Sequence, residues 1–393
     1  MDYKFADRVL SLQPSVIREI LKFSSVPGMI AFAAGNPAAE AFPAADLAKI
    51  SDRILDERWV DALQYSVTEG YLPLRDTVRA LHSDIMKEYD DIIITSGAQQ
   101  VMNLATQSLV NEGDVIICES PTFIGSLNAF RSYNAKLVGV PMEDDGMDLT
   151  ALEDALKSNP NAKFIYCIPN FQNPTGIVTS LEKRRGIYGL AKKYGVLILE
   201  DNPYGETRFT GDEIPTIKSM DEDGIVIYAG TFSKVISPGL RVGYALAPSG
   251  ILQKMTVCKQ VSDVHTNIYA QILVDEYIKT CDYPAHLARI REIYRKKAGL
   301  MADCLRADMP DMPFIQPHGG LFIWSTLPAG VDMISFAKEA VTRNVAVVPG
   351  NAFLIDENEP CSAIRLNYST PSDDQIERGV KVLRDLLREK MCL

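Results

Sequence analysis

The chain is poor in the features that mark several large classes of protein. Its seven cysteines stand at 118, 167, 258, 281, 304, 361 and 392 with no CxxC pair among them. That odd, scattered set argues against both a structural zinc site and a disulfide framework. Four histidines, with no HExxH pair, leave little for a histidine-based metal hydrolase. Positive charge is also short. Lys and Arg number 40 against 51 Asp and Glu, a formal net charge of -11, and a general nucleic-acid face or an anionic-membrane binder needs a basic surface. Neither partner is therefore expected. No run of eighteen apolar residues occurs, and the N-terminal MDYKFADRVLSLQPS carries charges throughout without an apolar h-region. Gly/Ser linkers, low-complexity tracts and internal repeats are missing as well. A reduced, cytoplasmic protein is the expectation.

What is present is an ordinary folded composition: 393 residues, 47% apolar and 23% charged, enough for one large domain and a smaller one. Short apolar runs alternate with helix-like stretches. The runs at 92–95, 115–118, 136–140, 164–168, 196–200, 225–229 and 243–247 read as strands; 98–110, 124–133, 150–159 and 180–194 read as helices. Such alternation implies an α/β fold, a mainly parallel seven-stranded sheet with helices on both faces. After residue 250 the pattern turns helical, over 251–280 and 284–309. Strands at 319–324, 345–348 and 363–366 and a C-terminal helix then make a smaller α+β domain. The expected division is an N-terminal arm over 1–45, a large domain over 46–285 and a small domain over 286–393.

In parallel sheets ligands collect beyond the carboxyl ends of the strands, and in this chain those ends are chemically specific. Thr95 runs into Ser96-Gly97-Ala98-Gln99 at the start of a helix, where free amides favour an anion such as phosphate. Ile168 leads to Asn170-Phe171-Gln172-Asn173-Pro174-Thr175-Gly176, which by itself reads as a turn. Asp201 follows an aliphatic run, and a buried carboxylate there requires a cation. Residues 230–241, GTFSKVISPGLR, place Lys234 among hydroxyls with Arg241 seven residues on. A phosphate, an acid for a protonated ring nitrogen, an amide and a phenol for a ring oxygen, and an amine for an aldehyde together describe pyridoxal phosphate.

With those residues the sequence resembles the fold-type I pyridoxal-phosphate aminotransferases of class I/II, and within them the 2-aminoadipate and kynurenine-type group with broad specificity. The matching stretches are LQYSVTEGYLPLR at 63–75, TSGAQQ at 95–100, NFQNPTG at 170–176, EDNPYGE at 200–206, GTFSKVISPGLRVGY at 230–244, HGGLFIW at 318–324 and IRLNYS at 364–369. The resemblance implies that Lys234 forms the Schiff base with pyridoxal 5'-phosphate and later moves the proton at the substrate Cα. It implies that Asp201 keeps the ring nitrogen protonated, and that Asn173 and Tyr204 hold the ring oxygen. Gly97, Ala98, Gln99, Thr231, Ser233 and Arg241 would bind the phosphate, and Phe123 would stack on the ring. Tyr65 would reach the phosphate of a neighbouring subunit in a homodimer with shared sites. Arg365 would clamp the substrate α-carboxylate in a bidentate fork. Gly35 would line the substrate entrance, and Arg18 would receive an acidic substrate side chain. Relatives commonly have serine at the position of Ala98 and tyrosine at that of Phe123; each departure removes one hydroxyl.

The resulting expectation is ping-pong transamination from an L-amino acid donor (glutamate, 2-aminoadipate, aromatic or branched) to 2-oxoglutarate or another 2-oxo acid. Two alternatives share the scaffold: a pyridoxal-phosphate β-lyase, and a cofactor-sensing regulator-type domain. The second usually follows a basic winged-helix domain, for which the LQYS segment at residue 63 leaves no room here.

Overall fold

The computed structural model describes residues 3–10 and 26–391. Its strands, in chain order, are β1 (Ile30–Ala31), β2 (Asp90–Thr95), β3 (Val115–Ser120), β4 (Lys136–Glu143), β5 (Gly146–Met147), β6 (Ala162–Cys167), β7 (Leu197–Asp201), β8 (Val226–Thr231), β9 (Gly243–Pro248), β10 (Phe322–Thr326), β11 (Val345–Ala346), β12 (Val348–Pro349) and β13 (Ala363–Asn367). The main sheet has the order β2-β9-β8-β7-β6-β3-β4-β5. Strands β8, β7, β6, β3 and β4 pair in parallel, while β9 runs against both its neighbours. All seven expected strands are present. The eighth, β5, is a two-residue antiparallel edge strand that a period-of-two pattern is too short to register.

Alternation along each strand divides the core between the two faces of the sheet. Ile116, Cys118, Phe164, Tyr166 and Leu199 pack on one face, with the helices Ala98–Leu109 and Ile124–Arg131. Val115, Ile117, Ile165, Cys167 and Ile198 pack on the other, with Leu152, Leu156, Ile187 and Ala191 from the helices Leu149–Ser158 and Leu181–Tyr194. Both of those helices begin at a side-chain cap, Asp148 and Ser180, which satisfies amides the first turn leaves free. At roughly 25 cal/mol per Å² of apolar surface buried, such two-sided burial is what holds the strand ends in place.

Two expectations are corrected. The helix expected over 251–280 is two, Ser249–Ser262 and Ile268–Thr280. No Gly or Pro marks the break. It is made by tertiary contacts: the fully buried Lys259 amine bonds to the Asp263 carboxylate, Gln100 Oε1 and Thr266 Oγ1, Val264 takes a left-handed φ of 64°, and Asn267 caps the next helix. The strand expected over 345–348 is likewise split, because β11 pairs with β1 whereas β12 pairs with β13 in the sheet β10-β13-β12. The N-terminal segment is thus hydrogen-bonded to the C-terminal third of the chain. The expected boundary at 285/286 falls within one continuous helix, Tyr283–Asp308.

A buried cation pins the sheet edge. Lys218 Nζ lies 2.8 Å from Asp90 Oδ1, 3.0 Å from Asp221 Oδ2 and 3.2 Å from the Val226 carbonyl, with all three side chains shielded from solvent. Lys218→Met strands two carboxylates and is expected to cost about 3–5 kcal/mol of stability. Urea unfolding of the variant measures it, and an unchanged midpoint contradicts it. No helix among the described residues is long and apolar enough to cross a membrane.

Candidate active site

The carboxyl ends of β2, β6, β7 and β8 and the loop before β9 open into one cavity of about 400 Å³. Gly97, Ala98 and Gln99 enter at the N-terminus of the 12-residue helix Ala98–Leu109. Gly97 has φ of 79°, and a Cβ there would stand 2.5 Å from Arg241 Nη2. A Cβ at Gly243 would likewise stand 2.8 Å from the Ala98 nitrogen. Two glycines therefore let the β9 strand and the Arg241 fork press against the amides of the helix terminus. Arg241 Nη2 donates to the Ser96 carbonyl at 3.0 Å. Thr231 Oγ1 donates to Ser233 Oγ at 2.8 Å, which puts two hydroxyls at the same end.

Lys234 projects into the cavity, its amine 2.9 Å from the Gly35 carbonyl and 5.9 Å from the centre of the Tyr204 ring. Burial depresses its pKa to about 8, assisted by the Arg365 and Arg241 charges and opposed by Asp201. Asp201, at the end of β7, is the reverse case: burial raises its carboxyl to about 7 against the pull of the Tyr166 hydroxyl and of Lys234. Tyr166 donates to its Oδ2 at 2.9 Å, and Oδ1 is buried with no partner among the described residues. Burial also raises the Tyr204 phenol well above its ordinary range, with Asn173 pulling it back by a hydrogen bond.

Arg365, on β13, approaches from the other side. Its Nη1 donates to Asn173 Oδ1 at 2.9 Å, its Nη2 to the Ala33 carbonyl at 2.9 Å, and its Nε is buried without a partner among the described residues. The guanidinium lies 4.1 Å from the centre of the Phe322 ring and 5.0 Å from that of Phe353. Burial lowers its pKa to about 10, which leaves it charged at neutral pH.

Most of the residues expected from sequence meet here: Gly35, Ala98, Gln99, Phe123, Asn173, Asp201, Tyr204, Thr231, Ser233, Lys234, Arg241 and Arg365 all line the cavity. Gly97 stands just behind it. Gln99 donates its amide to the Gly125 carbonyl. Among the described residues a Cβ at Gly35 would meet only the Phe322 ring, at 3.9 Å, and none of them demands glycine there. Tyr65 is elsewhere. It is 82% exposed, stands edge-on to His265 and lies outside the cavity of its own chain. Arg18 lies outside the described residues. Sequence reasoning missed Tyr166 and Ser126 beneath Asp201, and Met102, Ile124, Phe322 and Phe353 in the wall. Phe322 lies in the HGGLFIW stretch, which gave it no role, and for Tyr166, Ser126, Met102 and Ile124 the signal is the strand or helix periodicity that every core residue shares.

Residues 27–383 match the family model described as aminotransferase class I and II. The chain belongs to that family. It is 38% identical over 386 residues to the 2-aminoadipate transaminase of Thermus thermophilus, covering 97% of this chain and 96% of the relative. To the aromatic-amino-acid aminotransferase 1 of Thermococcus litoralis it is 36% identical over 404 residues, covering 100% and 96%. Its fold matches the crystal structure of the Pyrococcus horikoshii kynurenine aminotransferase at a TM-score of 0.94, with 34% identity and coverage of 98% of this chain and 97% of that one. This aminotransferase uses pyridoxal 5'-phosphate and carries out transamination. Its cavity fits the cofactor on independent grounds: an unpartnered buried carboxylate oxygen, a lysine amine held near neutrality, and a helix terminus with two hydroxyls and an arginine share one space.

Proposed function

We propose that this aminotransferase takes its amino group from L-amino acids with aromatic or other apolar side chains, and from acidic donors whose side chain Arg18 would receive, passing it to 2-oxoglutarate or a similar 2-oxo acid. The observation that carries this is the composition of the cavity wall. Arg365 is the one guanidinium in the described lining beyond the phosphate end, and around it stand Ile124, Phe322 and Phe353. A single fork serves the α-carboxylate; an apolar wall suits an apolar side chain. The relatives named for aromatic amino acids, 2-aminoadipate and kynurenine agree with that range.

The bound cofactor supplies an aldehyde for the amino group and a ring that accepts the electron pair left at Cα. Lys234 would hold that aldehyde, and its amine is the group in the cavity that would move a proton to and from the substrate Cα. Its depressed pKa suits it to act as a base near neutral pH. Asp201 would hold the ring nitrogen's proton, Asn173 and Tyr204 would hold the ring oxygen, and Phe123 would stack on the ring. Amides at Gly97 to Gln99, the hydroxyls of Thr231 and Ser233, and Arg241 bind the phosphate. Arg365 orients the substrate.

The same reading makes the enzyme a cytoplasmic homodimer. Leu63, Tyr65, Val67, Val257, Val261 and Val264 are each between 48% and 82% exposed. Residues of the 63–69 and 256–265 segments line the same surface depressions, so this is one apolar face. A second copy docked there would bring Tyr65 to its partner's phosphate site.

The test is the half-reaction. Cofactor-loaded enzyme is mixed with phenylalanine, kynurenine, leucine, glutamate and 2-aminoadipate without acceptor, and pyridoxamine phosphate and keto acid are measured. Turnover of the apolar donors is expected to survive Arg18→Ala, while turnover of the two acidic donors is expected to fall. No keto acid from any donor overturns the reading; acidic donors alone reacting overturns the assignment of the wall.

A further inference from the structure

At the cavity floor, side chains from three elements form a directed hydrogen-bond chain. Ser126 Oγ, on the helix Ile124–Arg131, donates to Tyr166 Oη at 2.8 Å, and Tyr166 Oη donates to Asp201 Oδ2 at 2.9 Å. Ser126 and Tyr166 are fully buried and Asp201 is 4% exposed. The Tyr166 ring is fixed edge-on against Phe130, with centroids 5.2 Å apart. Each hydroxyl spends its single proton toward the carboxylate, which leaves Asp201 Oδ1 as the acceptor facing the cavity.

We propose that Tyr166, oriented by Ser126, is a positioning residue for the reaction: it anchors Oδ2 of Asp201, keeps that carboxylate ionised, and directs Oδ1 at the cofactor's ring nitrogen. This rests on the assignment of Asp201 as the partner of that nitrogen. A hydrogen bond to a carboxylate stabilises its charged form, and in a dry site the gain is large. The other groups bearing on the site are Lys234, which stabilises the Asp201 anion, and Glu119, a buried carboxylate that opposes it. The Tyr204 and Tyr228 phenols stay protonated because burial raises them. Against Glu119 and burial, Tyr166 is the first of the two groups that favour ionisation. Without it the carboxyl is protonated at higher pH, and the proton shared with the ring nitrogen moves toward the carboxyl oxygen.

Pyridoxine 5'-phosphate tests this, because it has the ring and phosphate but no aldehyde for Lys234. Its dissociation constant is measured against pH for full-length wild type, Tyr166→Phe, Ser126→Ala and Asp201→Asn stripped of cofactor. Phe keeps the ring packing, and circular dichroism checks the fold. The Tyr166→Phe protein is expected to bind about tenfold more weakly at neutral pH, with the acidic limb moved up by about one pH unit so that affinity returns at higher pH. Ser126→Ala is expected to move the same way by less, and decides the matter if the Phe variant does not fold. In the reloaded enzyme kcat falls with little change in KM, and nitrogen-15 NMR of labelled cofactor shows a less protonated ring nitrogen. If Tyr166→Phe matches wild type while Asp201→Asn binds weakly, Tyr166 is only a core aromatic and the proposal is overturned. If Asp201→Asn also matches wild type, the assignment of Asp201 itself falls.

Discussion

Lys234→Ala is expected to lower kcat/KM by at least about four orders of magnitude, since proton transfer alone contributes roughly 10²- to 10⁴-fold and the variant also loses covalent attachment of the cofactor. The absorption band of the lysine-bound cofactor is expected to vanish, while the phosphate site, whose amides, hydroxyls and arginine do not involve the Lys234 side chain, still retains the free cofactor. Capture of the cofactor aldehyde by wild-type protein carries a pH signature with a definite sign. The amine is reactive only when neutral, and burial beside two arginines lowers its pKa to about 8. The capture rate therefore rises with pH and levels off above about 8, well below the ordinary lysine range. Stopped-flow mixing of apoenzyme with cofactor across pH measures this. A midpoint near 10 contradicts the reading.

Arg365→Lys keeps the charge and removes the fork. KM for the amino donor and for the 2-oxo acid is expected to rise roughly 100-fold each, equivalent to about 2–3 kcal/mol, because a point charge cannot reproduce two parallel N–H bonds to a carboxylate. The cofactor spectrum stays, since no expected cofactor contact is removed. Part of the effect is packing: the guanidinium plane that stands over Phe322 and Phe353 also holds the carbonyls of Ala33 and Ala34. Arg365→Ala has an additional consequence for Lys234. After burial itself, the Arg365 charge is the largest influence depressing the lysine, so its removal moves the capture midpoint upward. Steady-state kinetics with both substrates separates the two variants from a general loss of folding, which would lower kcat and cofactor content together.

Much of this was legible in the sequence because the signals are local. Strand β3 is Val-Ile-Ile-Cys, β6 contains Phe-Ile-Tyr-Cys, and each alternates between the two packed faces. Strand ends marked by Ala98, Asn173, Asp201 and Lys234 all came to one cavity. Where local and tertiary signals disagreed, tertiary ones won. Lys259 and Asp263 broke a helix that no Gly or Pro announced, and β11 and β12 parted because their neighbours belong to different sheets. Tyr166 was hidden because a tyrosine in an apolar strand reads as core, which by packing it is; only the position of its hydroxyl distinguishes it.

The kind of fold and the set of chemical groups follow from short stretches of chain, because backbone periodicity and residue type are local properties. The tertiary structure decided how those groups stand to one another. Positions as distant in the chain as 35, 173, 201, 234 and 365 face one space, Asp201 keeps one oxygen without a partner among the described residues and has the other anchored, and Tyr65 stands exposed outside the cavity of its own chain. Hydrogen-bond satisfaction, burial and the pKa values that follow from them depend on neighbours brought together across hundreds of residues, and no short stretch of chain encodes them.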